Sequence, residues 1–148
     1  MKLTRKTALA LEAVVDIAYH ARPDPVQARD ITARQGVPHR YLEQVLQRLV
    51  REGVLRGVRG PRGGYVLARE RRRVTLGDVI RVVATMDAEE ETVGFGPGLG
   101  ALVVAPIWDE ASAEMLARFD AVTLEDLCRE AQARGIPALD GVVPDFTI

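Results

Sequence analysis

The sequence predicts a mainly α-helical fold with one small β-hairpin. The hairpin is indicated by residues 54–67, where two short apolar segments flank a glycine-rich turn. Before it, residues 26–53 read as helix, tight turn and helix, with Gly36 ending the first helix and Pro38 in the first turn of the second. After the hairpin, three further segments carry apolar residues at helical spacing. This order of elements is that of a winged helix-turn-helix.

The turn of the hairpin combines bare backbone with cations. Glycines at 60, 63 and 64 permit positive φ and leave space for a neighbouring surface, and two arginines lie among them. Guanidinium groups bind phosphates with paired hydrogen bonds and also enter narrow minor grooves. We therefore predict a DNA-binding wing, with an ordinary basic surface hairpin as the alternative. The candidate wing residues are Arg59, Gly60, Arg62, Gly63, Gly64 and Tyr65.

The second helix of the helix-turn-helix is amphipathic. Its apolar residues from Leu42 to Val50 share one arc at about 100° per residue, and the opposite arc is polar. Glutamine suits adenine, arginine suits guanine and glutamate can accept a hydrogen bond from cytosine. The candidate base-reading residues are Arg40, Glu43, Gln44 and Gln47, and a merely solvated face is the alternative. Thr4 is a further candidate, because an N-cap before the first helix presents backbone N–H groups to phosphate, with simple helix capping as the alternative.

The net charge of −1 conceals two oppositely charged halves. Residues 1–73 carry 16 Lys or Arg against 7 Asp or Glu, whereas residues 74–148 carry 4 against 14. A basic first half is expected if that half faces phosphates. The sequence shows no apolar run of membrane-spanning length and no signal peptide, which predicts a cytoplasmic protein without membrane association.

Side chains able to do covalent or metal chemistry are few. Cys128 is the single cysteine, so an intramolecular disulfide and a thiolate zinc site are both excluded. We expect Cys128 to pack in the core, with redox sensing as the alternative. The sequence contains no recognisable nucleophile–base pair, phosphate loop or metal triad, which predicts a binding protein rather than an enzyme.

The predicted boundaries place the DNA-binding domain at residues 1–86 and a flexible, glycine-rich loop at 87–105. A dimerisation helix and a following helix occupy 106–135, and an irregular tail occupies 136–148. The dimerisation helix carries more apolar surface than a small winged-helix core needs, which indicates packing on a partner chain. Its candidate interface residues are Trp108, Ala111, Met115, Leu116 and Phe119.

The chain resembles the Rrf-two family of bacterial winged-helix transcription regulators, which includes the IscR, NsrR and CymR types. The resemblance spans roughly residues 1–135. It rests on residues 1–4, 41–44, 58–65 and 123–127, and on Trp108 within the long helix. It implies a homodimer whose long C-terminal helices cross and present two winged helices to a pseudo-palindromic operator. A DNA-binding repressor is the function that this resemblance favours.

Many members of that family hold an iron–sulfur cluster on three cysteines in the loop before the dimerisation helix. Residues 92–102 contain no cysteine here, and Leu102 and Ala105 stand where ligands are expected. We therefore expect no cofactor, and control by a small molecule, a partner protein or a thiol change. Two alternatives stay open. One is a cluster on unusual ligands such as Glu89, Glu90, Glu91 and Cys128; the other is a protein–protein interaction module whose basic lobe meets an acidic partner.

Overall fold

The computed structural model describes residues 3–21, 24–87 and 94–138. The β-hairpin pairs two antiparallel strands, with Leu55 opposite Leu67. A 3₁₀ turn lies at Arg71–Arg73 and a π-helical turn at Gly100–Val104. The helices and strands in chain order are α1 (Arg5–His20), α2 (Ala28–Gln35), α3 (His39–Arg51), β1 (Leu55–Val58), β2 (Gly64–Leu67), α4 (Leu76–Asp87), α5 (Ala105–Asp120) and α6 (Leu124–Ala133). The predicted winged helix-turn-helix fold is confirmed.

The apolar core lies around α1, which packs against α3, α4 and α6. The predicted apolar arc of α3 is buried, with Leu42, Leu46 and Leu49 fully enclosed. The helical spacing of apolar residues after the hairpin predicts burial of Leu76, Val79, Ile80 and Val83 in α4. Val79 and Val83 are buried, but Leu76 and Ile80 are only half-buried. Val82 is buried in that helix as well. The helix is thus rotated slightly about its axis relative to the predicted face.

A carboxylate is buried on the inner face of α1. Arg34 of α2 donates from Nε to Asp16 Oδ2 at 2.9 Å and from Nη2 to Oδ1 at 2.6 Å. Gln35 Nε2 donates to Asp16 Oδ2 at 2.7 Å, and His20 Nε2 lies 4.0 Å from the same oxygen. The hydrogen bonds to Asp16 raise the pKa of the Arg34 guanidinium above its ordinary value. We call this set of hydrogen bonds from Arg34 and Gln35 to Asp16 the Asp16 fork. It fixes α2 against α1.

The N-termini of α4 and α6 begin at one shared bridge. Thr75 and Thr123 face each other as an isolated antiparallel pair, with Leu76 N donating to the Val122 carbonyl at 3.0 Å and Leu124 N to the Val74 carbonyl at 2.9 Å. Each threonine is also followed by an aspartate three residues later, a spacing that predicts a capping box, and both boxes are formed. Thr75 and Asp78 exchange hydrogen bonds of 3.0 and 3.1 Å, and Thr123 and Asp126 do the same.

The C-terminal end of α5 is fixed to α4 by an arginine–carboxylate pair. Arg81 donates to both oxygens of Asp120, at 2.7 and 2.6 Å, and these bonds lower the pKa of the Asp120 carboxyl. Asp120 also lies directly over Gly77, where a Cβ atom would collide with the carboxylate. Glycine at position 77 therefore leaves the space that the Asp120 carboxylate occupies against α4.

The sequence predicts a flexible loop over residues 87–105, but both ends of this segment are helical in the structure. Asp87 still belongs to α4, and helical structure resumes with the π-turn, in which Ala105 N donates to the Gly100 carbonyl. The wider turn precedes Pro106, which has no N–H to continue a regular helix and whose ring would crowd the carbonyl four residues before it. Glu89, Glu90 and Glu91 lie outside the described residues, as do residues 139–148 of the predicted tail.

We expect Asp16→Ala to destabilise the fold, because it leaves the Arg34 guanidinium, whose side chain is 23% exposed, without its counter-charge. Removing one partner of a buried pair costs roughly 3–5 kcal/mol, and we expect about 3 kcal/mol here in urea unfolding. Glu130→Gln is the control, since it breaks an exposed pair with Arg134 and should leave the curve nearly unchanged. Superimposable Asp16→Ala and wild-type curves would contradict the assignment.

Candidate nucleic-acid interface

The predicted base-reading residues of α3 form one exposed stripe. Arg40, Glu43, Gln44 and Gln47 are all exposed, on the side of α3 opposite the buried leucines. We call these four residues the α3 stripe. The helix starts after Pro38, which serves as the N-cap rather than as a first-turn residue and makes no side-chain capping bond. No N-cap side chain accepts a hydrogen bond from the first-turn N–H groups, which therefore keep the partial positive charge of the helix end.

The wing is a tight turn that projects two arginines. Arg59 and Arg62 are exposed, and Gly63 N donates to the Gly60 carbonyl at 2.9 Å to close the turn. Gly60 has φ of +110°, a conformation that favours glycine. Gly63 is buried, and a Cβ atom there would collide with the Val58 carbonyl oxygen. Gly63 therefore shapes the wing from inside, whereas the arginines are available to a ligand.

The wing is joined to the helix-turn-helix by a backbone bridge. Tyr65 N donates to the Val26 carbonyl at 2.7 Å, and Val26 N donates to the Tyr65 carbonyl at 3.0 Å. The approach is close at Gly64, where any Cβ atom would collide with the Val26 carbonyl oxygen. Because Val26 lies two residues before α2, this bridge fixes the position of the wing relative to α2 and α3.

Tyr65 also couples the wing to the α3 stripe electrostatically. Its half-buried side chain packs against the core, and this burial raises the pKa of the Tyr65 hydroxyl. The negative charge of Glu43 raises it further. Within α3, His39 Nε2 lies 3.3 Å from Glu43 Oε1. Glu43 therefore lies close to both His39 and the wing residue Tyr65.

Thr4 occupies the N-cap of α1. Its Oγ1 accepts a hydrogen bond from Thr7 N at 3.2 Å, and Thr4 itself is exposed. The predicted capping is confirmed, while a phosphate contact at this helix end stays a prediction.

Two further exposed residues of α3 lie outside the set of candidate base-reading residues. Tyr41 is 44% exposed beside the stripe. The pairing of His39 with Glu43 follows from their spacing of four residues on a helix, a signal that was present in the sequence.

The predicted dimerisation helix presents apolar side chains to solvent. Ile107 is 65% exposed, Trp108 52% and Met115 39%, while Leu116 and Phe119 are half-buried. The exposed apolar surface continues into the π-turn, beyond the predicted interface, with Leu102, Val103 and Val104. The ring of Phe95 meets that of Trp108 edge to face, with centroids 6.3 Å apart.

The described residues do not fit an iron–sulfur cluster. Residues 94–105 carry only glycine, proline and apolar side chains, none of which offers a ligand atom to iron. Cys128 is 3% exposed and belongs to the core cluster beside Leu124. Across residues 3–21, 24–87 and 94–138, no group of three His, Cys, Asp or Glu side chains is placed to hold a metal ion. In the same ranges no helix is long and apolar enough to span a membrane.

Comparisons with known proteins agree on one family. The model of the Rrf2 (Rrf-two) family, described as an iron-dependent transcriptional regulator, matches residues 3–130. The chain is 35% identical to the HTH-type transcriptional regulator IscR of Xenorhabdus nematophila over 135 residues, which are 89% of this chain and 82% of that protein.

Two solved structures are similar over most of their length. IscR of T. potens has 31% sequence identity and a TM-score of 0.74, with 93% of each chain covered. CymR, the global cysteine regulator of B. subtilis, has 27% identity and a TM-score of 0.68, with 88% of this chain and 98% of that chain covered.

We expect Gly63→Ala to distort the wing and weaken binding to a mixed-sequence duplex at low salt, as measured by fluorescence anisotropy. The new Cβ atom must displace the Val58 carbonyl, and overpacking of this kind costs about 1–3 kcal/mol. Gly57→Ala is the matched control, because a Cβ atom at that β1 position has no neighbour within 4 Å. Equal affinities of the two variants would show that the wing geometry does not matter for binding.

Proposed function

The chain belongs to the Rrf2 family of transcriptional regulators, and from this we propose that it is a homodimeric repressor that binds a pseudo-palindromic operator in double-stranded DNA. The observation that carries the proposal is the exposed α3 stripe beside the basic wing, held in register by the Val26–Tyr65 bridge. A helix that presents amide, guanidinium and carboxylate groups on one exposed face matches the chemistry of base edges.

The stripe and the wing have different tasks in this proposal. The α3 stripe enters the major groove, with its uncapped N-terminus directed toward the phosphate backbone. Arg59 enters the adjacent minor groove and Arg62 binds a phosphate. Within the described residues, neither arginine has an ion-pair partner, so both keep their charge available for DNA.

Glu43 acts in specificity rather than in affinity. A carboxylate near phosphates is repelled, so its presence on an exposed DNA-facing stripe weakens binding to most sequences. It is compensated only where a base offers a donor, such as the N4 group of cytosine. The residue therefore penalises incorrect sites more than it strengthens the correct one.

The second copy of the chain covers the exposed apolar side of α5. Large apolar side chains at solvent-exposed positions of one helix indicate an interface, and a two-fold dimer buries the same patch on both subunits. Trp108, Ala111 and Met115 lie at the centre of that interface, and the half-buried Leu116 and Phe119 extend it along α5.

Regulation in this proposal uses no iron–sulfur cluster. The segment before α5 provides no ligand atoms, so the signal comes instead from a small molecule, a partner protein or a thiol change. This part of the proposal is wrong if protein purified without oxygen contains stoichiometric iron and acid-labile sulfide.

We expect Arg62→Ala to weaken DNA binding and to lower the slope of log affinity against log salt by about one unit, because one phosphate contact is lost. Arg134→Ala is the control, since Arg134 lies at the end of α6 and pairs with Glu130. Anisotropy titrations over a salt series measure both quantities. If Arg62→Ala and Arg134→Ala have the same slope as the wild type, Arg62 does not bind phosphate.

We expect Met115→Glu to produce monomers or insoluble protein, because a charge buried at a two-fold interface without a partner costs several kcal/mol. Ala113→Glu adds the same charge at an exposed α5 position about 200° around the helix and should leave the dimer intact. Analytical ultracentrifugation distinguishes the two states. A soluble Met115→Glu dimer would place the interface elsewhere.

A further inference from the structure

We propose that His39 is a positioning residue for Glu43, and that its protonation sets how strictly the α3 stripe discriminates between DNA sequences. The inference rests on the proposed function, in which α3 lies in the major groove. It adds that the sequence discrimination of this surface depends on pH.

The geometry places the two side chains as an isolated pair. His39 is the first residue of α3, and its Nε2 lies 3.3 Å from Glu43 Oε1, one helical turn further along. The two side chains are 54% and 55% exposed on the side of α3 that carries the stripe. Within the described part of the chain, neither residue has a second ion-pair partner. The carboxylate is thus held by a group that can gain or lose a charge.

The surrounding groups keep a constant charge through the neutral range. Arg40 follows His39 on α3 and, like Arg29 on α2, stays protonated. Tyr65 is coupled to Glu43 from β2, and burial raises the pKa of its hydroxyl, so it keeps its proton. Asp30 on α2 interacts with Arg34, which lies in the Asp16 fork. Imidazole is the side-chain type that changes charge between about pH 5 and 8.

Protonation of His39 changes the net charge that the α3 stripe presents to DNA. With a neutral imidazole, the Glu43 carboxylate keeps its full charge and repels every site that offers it no donor. With an imidazolium 3.3 Å away, that charge is largely cancelled and one more cation faces the phosphates. Binding to incorrect sequences therefore increases more than binding to the operator, and the specificity ratio falls in acid.

The test compares two duplexes at two pH values and constant ionic strength. One duplex is selected from a random pool by the wild-type protein at about pH 8, and the other has mixed sequence. An exposed ion pair is worth roughly 0.2–1 kcal/mol, so the ratio of the two affinities should fall about 1.4- to fivefold between about pH 8 and about pH 6. Anisotropy titrations measure both affinities.

Three variants separate this effect from a merely structural one. His39→Gln should keep the same ratio at both pH values, and His39→Lys should keep the low ratio at both. Glu43→Gln should still bind all DNA more tightly in acid, because an imidazole that gains a proton adds a cation at this surface, but with a ratio that does not depend on pH. His20 is present in every variant and therefore contributes equally to each side of the comparison. Thermal unfolding confirms that each variant is folded.

The outcomes distinguish this inference from the proposed function. A wild-type ratio that is constant with pH, or a pH-dependent ratio that persists in His39→Gln, overturns the inference while DNA binding stands. Failure of the folded wild-type protein to select any duplex overturns the proposed function itself.

Discussion

The fork between Asp16 and Arg34 determines where the helix-turn-helix lies. A carboxylate enclosed by α1 would be strongly destabilising alone, and the guanidinium and amide of α2 satisfy it at 2.6 to 2.9 Å. Once α2 is fixed, the turn at Gly36 directs α3, and Val26 before α2 receives the wing through Tyr65. Both parts of the DNA-facing surface are therefore positioned by one buried charge, whose contribution is to geometry at least as much as to stability.

Two sets of arginines among the described residues differ in their partners. One group joins elements to each other: Arg71 pairs with Glu125 at 3.1 Å, and Arg81 with Asp120 at 2.6 Å. The acids in both pairs come from the second half of the chain. Part of the negative charge of that half therefore neutralises arginines within residues 1–86. The stripe and wing arginines have no such carboxylate among the described residues. The net charge of −1 is thus compatible with a surface for phosphates, because the pairing is spatially selective.

Local patterns predicted most of the fold. The apolar arc of α3, the turn at Gly36, the hairpin and the caps at Thr75 and Thr123 each depend on residues a few positions apart, and the structure shows all of them. The Asp16 fork and the Thr75–Thr123 bridge join residues far apart in the chain, so periodicity gives no sign of them. The π-turn was missed because the alternating glycines before it indicate a loop, while the helix-forming residues after Gly100 continue into α5.

Because α5 is attached at its C-terminal end, a small rotation there moves the opposite end of the helix over a larger distance. Its sixteen residues span about 24 Å at 1.5 Å per residue. Its C-terminal end is pinned where Asp120 meets Gly77 and Arg81, whereas residues 106–111 are exposed. For a rod of about 24 Å, a rotation of roughly 5° at the pin moves the far end by about 2 Å. A change in packing at residue 77 that is too small to alter the fold is therefore enlarged along α5. It changes the distance between the groups that contact the two ends of the helix.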